Sequence, residues 1–242
     1  MKKVLIVSDN VELVTHFKGV ATTISTEVAE FTYCYSVINK SPEALKAMGM
    51  HVVNMKDEHD IDTIISNYDL VISAHCKQIF PKKMVESIRC INIHPGLNPY
   101  NRGWFPQVFS IINNKPIGCT IHLMDEEIDH GDVIYQKEVN IDSWDTSLEV
   151  YNKVVAIEKE LINKHLLDIV NEDYKCTPLI GEGNYNGIKD FKELTQLDLA
   201  TRGSLGEHIN LLRALTHSHI DNAYFIDEKG KKVFVKIKLS KE

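Results

Sequence analysis

Asn92 and His94 stand two residues apart in the run Ile91-Asn92-Ile93-His94, directly before Pro95-Gly96. In an extended chain, residues at i and i+2 share a face. A carboxamide and an imidazole therefore lie side by side, while Ile91 and Ile93 face the other way and can anchor in a core. Pro95 keeps His94 out of the helical region, and Gly96 permits a sharp turn. An imidazole can move a proton near neutral pH. A carboxamide NH2 can hold an oxygen as it turns anionic. The usual third member is a carboxylate that fixes the imidazole or relays its proton. Asp129, in the stretch Asp125-Glu126-Glu127-Ile128-Asp129-His130-Gly131, is the first candidate and Asp132 its rival. No G-x-S-x-G nucleophile motif is present. The set therefore suits direct attack by a substrate amine on an acyl donor. Two other readings stay open at this level: a satisfied polar turn, and a metal site drawn from His94, His122, Asp129 and His130.

Such residues need a scaffold. Short apolar runs at 4–7, 31–37, 51–54, 70–73 and 90–93 read as strands, and 11–20, 60–66 and 81–87 as helices. Ser41-Pro42-Glu43 reads as a further helix start, with Ser at the cap and Pro at the first helical position. Strands alternating with helices predict βαβ units and a parallel sheet, whose ligands sit beyond the carboxyl ends of the strands. The pattern then changes. Residues 118–124 and 132–139 read as strands joined by the loop 125–131, and 148–170 as a long amphipathic helix. After Asp173 come Pro178, Gly181, Gly183 and Gly187, then a helix over 206–216. A hairpin follows, 223–227 with 233–237, turning at Glu228-Lys229-Gly230-Lys231. The expected fold is α/β: a Rossmann-like, mostly parallel sheet with a small C-terminal helix and β-hairpin extension. One domain is expected over 1–173 and the extension over 174–242.

The 242 residues are 43% hydrophobic and 25% charged, with a formal net charge of -7. That excludes a disordered or low-complexity chain and disfavours a protein built to grip nucleic-acid phosphates. Five cysteines without a C-x-x-C fit a reducing compartment better than a disulfide framework. MKKVLIVSDN is too short in its apolar part for a signal peptide, and no apolar run reaches bilayer length. A cytoplasmic protein is expected, without a membrane or nucleic-acid partner.

Two stretches, NIHPGLNPYNRG (Asn92 to Gly103) and GCTIHLMDEEIDHGDVIYQ (Gly118 to Gln136), together resemble the 10-formyltetrahydrofolate-dependent formyltransferase family. SAHCKQIFP, Ser73 to Pro81, is similar to the segment that precedes the catalytic strand in that family. The resemblance spans roughly residues 1–170. It implies that Asn92 holds the formyl oxygen, that His94 takes or relays the proton of the attacking amine, and that Asp129 positions His94 or supports the relay. It also implies 10-formyltetrahydrofolate as co-substrate, with no metal. By the same resemblance the pteridine lies between 75–80 and 125–130, which makes Lys77, Ile79, Phe80, Asp125, Ile128 and His130 its candidate contacts. Lys77 is equally readable as a solvated surface lysine.

Three branches of the family compete. Methionyl-tRNA enzymes carry a sizeable C-terminal barrel, where this chain has only a short tail. Glycinamide ribonucleotide enzymes carry a glycine-rich phosphate loop after the first strand, where this chain has Ser8-Asp9-Asn10. The runs Asn98 to Asn113 and Leu211 to Ile237 resemble the sugar-nucleotide N-formyltransferases instead. That implies a dTDP-linked amino-dideoxyhexose, most closely dTDP-4-amino-4,6-dideoxyglucose, formylated for O-antigen or other surface polysaccharide. It also implies a homodimer built on the C-terminal hairpin region. A nucleoside diphosphate needs cations and a flat ring. Arg102, Arg213 and His217 are candidates for the first, Trp104, Tyr224 and Phe225 for the second, and Asn10 can also reach the nucleotide. A non-catalytic folate- or nucleotide-binding relative and a metal-dependent deformylase are the alternatives outside the transferases.

Overall fold

Val4, Leu5, Ile6 and Val7 are all buried, as expected of a strand covered on both faces. They belong to β1 (Lys2–Val7) in a computed structural model that describes Met1–Glu242. β1, β2 (Ala29–Ser36), β3 (His51–Val53), β4 (Leu70–Ala74) and β5 (Arg89–His94) alternate with α1 (Val11–Ala21), α2 (Glu43–Ala47), α3 (Glu58–Asn67) and α4 (Lys82–Ser87). Then come β6 (Arg102–Gly103), α5 (Pro106–Asn113), β7 (Ile117–Leu123), β8 (Val133–Val139) and the long α6 (Ser147–Asn171). The chain ends with β9 (Tyr185–Asn186), α7 (Ile188–Thr195), α8 (Leu205–Leu215), β10 (Tyr224–Ile226) and β11 (Lys232–Phe234).

Seven strands form one sheet in the order β3-β2-β1-β4-β5-β7-β8. The pairs from β3 to β5 are parallel, and β5–β7 is antiparallel. This is the mixed, mostly parallel α/β sheet expected, with the small C-terminal helices and the β10–β11 hairpin. No helix is long and apolar enough to cross a membrane.

Local chemistry sets the element ends. Asn10 caps α1 by accepting from Leu13 N–H, and Asp57 caps α3 by accepting from Asp60 N–H. The expected Ser41 cap is corrected: Pro42 holds the cap position of α2, and with no side-chain acceptor it makes no capping bond. Ser41 N–H instead donates to Asn39 Oδ1. Helices α5 and α7 and the β6–β9 pair were not expected from periodicity. All are short, and Gly181, Gly183 and Gly187 read as loop.

The chain divides into two compact units interleaved along the sequence: 1–94, 119–136 and 157–180 in one, 95–118, 137–156 and 181–242 in the other. In the first, Leu5, Val7, Val53, Met55, Val71, Phe80, Met84 and Cys90 share one apolar cluster. In the second, Val108 and Ile111 of α5, Ile117, Val150 and Val154 pack with Ala214, Leu215 and Ala223. Each fully buried aliphatic or aromatic side chain contributes about 1.5–3 kcal/mol. These clusters hold the strands and loops that carry polar residues.

Candidate functional site

β5 delivers Asn92 and His94 at the carboxyl end of the parallel strands, with Ile91 and Ile93 buried beside them. β7 runs antiparallel to β5 in a register that sets His122 opposite Asn92 and Thr120 opposite His94. Directly opposed residues share a face. The G-x-T-x-H strand therefore places a second imidazole and a hydroxyl beside the first pair. Thr120 Oγ1 accepts from Gln136 Nε2 at 2.9 Å.

The loop after β7 returns a carboxylate to that face. Asp129 sits at φ 53°, a left-handed conformation that Asp tolerates better than most residues. Gly131 makes the return possible. A Cβ there would overlap the carbonyl oxygen of Leu123, and the loop closes with Leu123 N–H donating to Asp132 O at 2.9 Å. Asp129 Oδ1 then accepts from Asn92 Nδ2 at 2.9 Å. Its Oδ2 lies 3.4 Å from His94 Nδ1, and Oδ1 lies 3.7 Å from His122 Nε2. The predicted trio comes together, and Asp129 rather than Asp132 is its carboxylate.

The geometry assigns protons. Asn92 turns its NH2 to Asp129, one hydrogen donated there and the other directed elsewhere. A proton on His94 Nδ1 faces the carboxylate, which leaves the basic lone pair on Nε2. His122 Nδ1 lies 2.7 Å from the carbonyl oxygen of Leu123. That oxygen only accepts, so Nδ1 is the protonated nitrogen and Nε2 faces Asp129. His122 entered the sequence reading only as a possible metal ligand. Its place in the G-x-T-x-H alternation was the available signal. No group of three or more His, Cys, Asp or Glu side chains has the arrangement that holds a metal ion, and the His130 ring turns instead to Asp125, 3.1 Å away. Burial pushes the thiol of Cys90 up to about 12 and that of Cys119 well above its ordinary value, so neither flanking cysteine is a thiolate nucleophile.

The expected pteridine contacts divide. Ile79 is exposed, Lys77 has an exposed side chain, and its backbone N–H donates to Asp9 Oδ2 at 2.8 Å. Asp125 and His130 close the 125–130 loop, and Ile128 is half-buried within it. Phe80 is buried in the apolar cluster with Met55 and Met84.

The expected nucleotide contacts divide as well. Asn10, in the first unit, caps α1. In the second unit Trp104 is exposed, and Arg102 is half-buried on β6, which pairs with β9. Tyr224 donates to Gln196 Oε1, with Lys232 Nζ 3.8 Å from its ring centroid. Arg213, an expected pyrophosphate ligand, lies in the second unit. It is buried, and its guanidinium donates to the carbonyls of Asp142 and Asp145 and to Asn210 Oδ1. It braces the approach to α6. His217 Nδ1 lies 3.1 Å from Ser147 Oγ, and Phe225 follows Tyr224 on β10.

Comparison with known proteins bears on this arrangement. The family description "Formyl transferase" matches residues 3–166, and "N-formyltransferase dimerization C-terminal domain" matches 190–241. A dTDP-4-amino-4,6-dideoxyglucose formyltransferase from Mycobacterium tuberculosis is 50% identical over 179 residues, 74% of this chain and 76% of the relative. A sugar N-formyltransferase from Shewanella sp FDAARGOS_354 superposes with a TM-score of 0.98 at 51% identity, covering 100% of this chain and 99% of the other. A 4-N formyltransferase from Francisella tularensis superposes with a TM-score of 0.94 at 46% identity, again over 100% and 99%.

Proposed function

This chain belongs to the formyl transferase family and is a formyl-transferring enzyme, and we propose that it moves the formyl group of 10-formyltetrahydrofolate onto the amine of dTDP-4-amino-4,6-dideoxyglucose. The observation that carries the reaction type is the convergence of Asn92 and His94 on Asp129. An amine attacking a formyl carbon needs a hydrogen-bond donor where the oxygen turns anionic, a base for the amine proton, and an acid for the departing nitrogen. Asn92 supplies the first through the NH2 hydrogen not donated to Asp129. His94 supplies the second at Nε2 and returns the same proton to the leaving nitrogen, so no proton is gained or lost over the cycle. Asp129 holds the carboxamide in the donating orientation and faces the imidazolium while it exists. The residues fit a formyl donor. The face offers a donor and a base side by side, bordered by the loop 125–130, in which the His130 ring pairs with Asp125.

The substrate class is supported by half-identity to an enzyme named for dTDP-4-amino-4,6-dideoxyglucose and by two sugar N-formyltransferase structures that cover the whole chain. Trp104, Arg102, Asn10 and Tyr224 are the side chains we assign to the sugar nucleotide, and Lys77, Ile79, Asp125, Ile128 and His130 those we assign to the folate. The same reading makes the protein a homodimer through residues 190–241, working in the cytoplasm on a precursor of O-antigen or other surface polysaccharide. The test is to incubate the purified protein with 10-formyltetrahydrofolate and a panel of amino-sugar nucleotides, then weigh the products. Gain of one CO unit on the 4-amino-4,6-dideoxyglucose nucleotide is expected. Gain on none of the panel overturns the substrate assignment.

A further inference from the structure

His75 follows β4 in the left-handed region, at φ 57°. A non-glycine residue stays there only where its surroundings over-determine it. His75 Nε2 lies 2.8 Å from Oε1 of Glu158, a carboxylate with no solvent exposure. His75 Nδ1 lies 3.3 Å from Nδ2 of Asn10. The Asn10 amide cannot be reversed at no cost, because its Oδ1 accepts from Leu13 N–H at 3.1 Å and caps α1. The atom turned to His75 is therefore the amide nitrogen, which only donates. It follows that Nδ1 accepts, that the ring proton sits on Nε2, and that Nε2–H donates to Glu158. One arrangement of protons satisfies the whole chain of contacts.

Glu158 makes little sense as a stabilising residue. Its second oxygen, Oε2, is buried without a hydrogen-bond partner. A buried carboxylate with half its capacity unmet weakens a fold. What the carboxylate does is hold one imidazole in one tautomer, as carboxylates behind functional histidines do. The chain of contacts ends on Asn10, at the carboxyl end of β1, where ligands of such sheets bind.

We propose that His75, seated on the buried carboxylate of Glu158, is a positioning residue for formyl transfer that locks the Asn10 carboxamide in the orientation that meets the nucleotide-linked sugar. This deepens the function read above and rests on it at one point, that Asn10 touches the substrate.

Two measurements on the full chain test it. In protein labelled with 15N-histidine, two-bond nitrogen–proton correlation reports the tautomer of His75, identified by the signals missing from His75→Asn. An Nε2–H ring is expected, and an Nδ1–H or doubly protonated ring overturns the proposal. Steady-state kinetics and thermal unfolding then compare Glu158→Leu, which removes the acceptor, with Glu158→Gln, which keeps an acceptor oxygen without the charge. Glu158→Leu is expected to raise KM for the sugar nucleotide roughly tenfold, with kcat and the donor KM little changed and no lower Tm. Glu158→Gln is expected to restore the sugar KM. A sugar KM at the wild-type value in Glu158→Leu, or equal impairment in both variants, overturns the proposal. Asn10→Ala separates the two layers. If it keeps the wild-type sugar KM, the positioning role falls while formyl transfer stands. If wild-type protein formylates no amino-sugar nucleotide, both fall together.

Discussion

The two compact units bury polar side chains to different ends. In the first, Asn92, His94 and His122 converge on the single carboxylate of Asp129, and their donors and acceptors are only partly spent on one another. In the second, the side chains of Asn101, Arg213 and Lys153 are tied to fixed partners. Asn101 is fully buried, and its side chain exchanges hydrogen bonds with Ser110, Asn113, Asn184 and Asn186. Arg213 is spent on two backbone carbonyls and Asn210, and Lys153 on Asp142 and Asp145. The residue types overlap, but the accounting differs. A buried polar group whose bonds close on backbone and amides builds a loop. One whose bonds converge on a single charge is fit for chemistry.

Substitutions can break or sharpen that contrast. The largest effects belong to the first unit. His94→Ala should lower single-turnover formyl transfer by about 10²–10⁴-fold, and Asn92→Ala should raise the barrier by about 2.7–4 kcal/mol, both with unchanged circular dichroism. Near-full turnover in His94→Ala would remove the assignment. In the second unit the order of effects reverses. Arg213→Met should cost on the order of 1–3 kcal/mol of stability, because the carbonyls of Asp142 and Asp145 lose their donor, while kcat of the folded protein holds. A raised nucleotide KM without a change in Tm would return Arg213 to the binding site.

Gly183→Ala should destabilise by about 1 kcal/mol or more. Gly183 sits at φ 61°, and a Cβ there would overlap the carbonyl oxygen of Pro99. Denaturant unfolding reads this directly. The smallest effect is a slope. Burial holds His217 below its ordinary value, so the unfolded chain takes up a proton first as pH falls below about 6.5. Stability tied to the neutral ring is present above that pH and lost on acidification. His217→Gln should flatten the dependence of Tm on pH in that window, and an unchanged slope would clear His217 of any part in it.

How much of this was legible in the sequence varied with the range of the interaction. β1 to β5 and helices α1, α3, α4, α6 and α8 follow from apolar period and capping residues, because those signals act within a few residues. Asn92 and His94 were legible for the same reason: a two-residue spacing in a strand leaves one geometry. The surroundings of Phe80 and Arg213 were not legible, because an aromatic or a guanidinium reads alike whether it faces a ligand or a core. Which it faces depends on partners far away in the chain, Met55 for one and the carbonyls of Asp142 and Asp145 for the other. The short helices α5 and α7 have too few turns to show a period. The interleaving of the two units is invisible to composition, since 95–118 reads as a continuation of what precedes it.

By itself the sequence determined the parallel αβ alternation, the pair of polar residues at the end of its fifth strand, and a glycine-punctuated loop carrying two candidate carboxylates, Asp129 and Asp132. Tertiary structure alone decided that His122 stands beside Asn92, that Asp129 rather than Asp132 completes the set, and that Glu158 lies behind His75. The physical reason is that strand register and loop return bring together side chains dozens of residues apart. Local propensity carries no record of such encounters. They are fixed by which apolar faces find each other when the chain closes on its core.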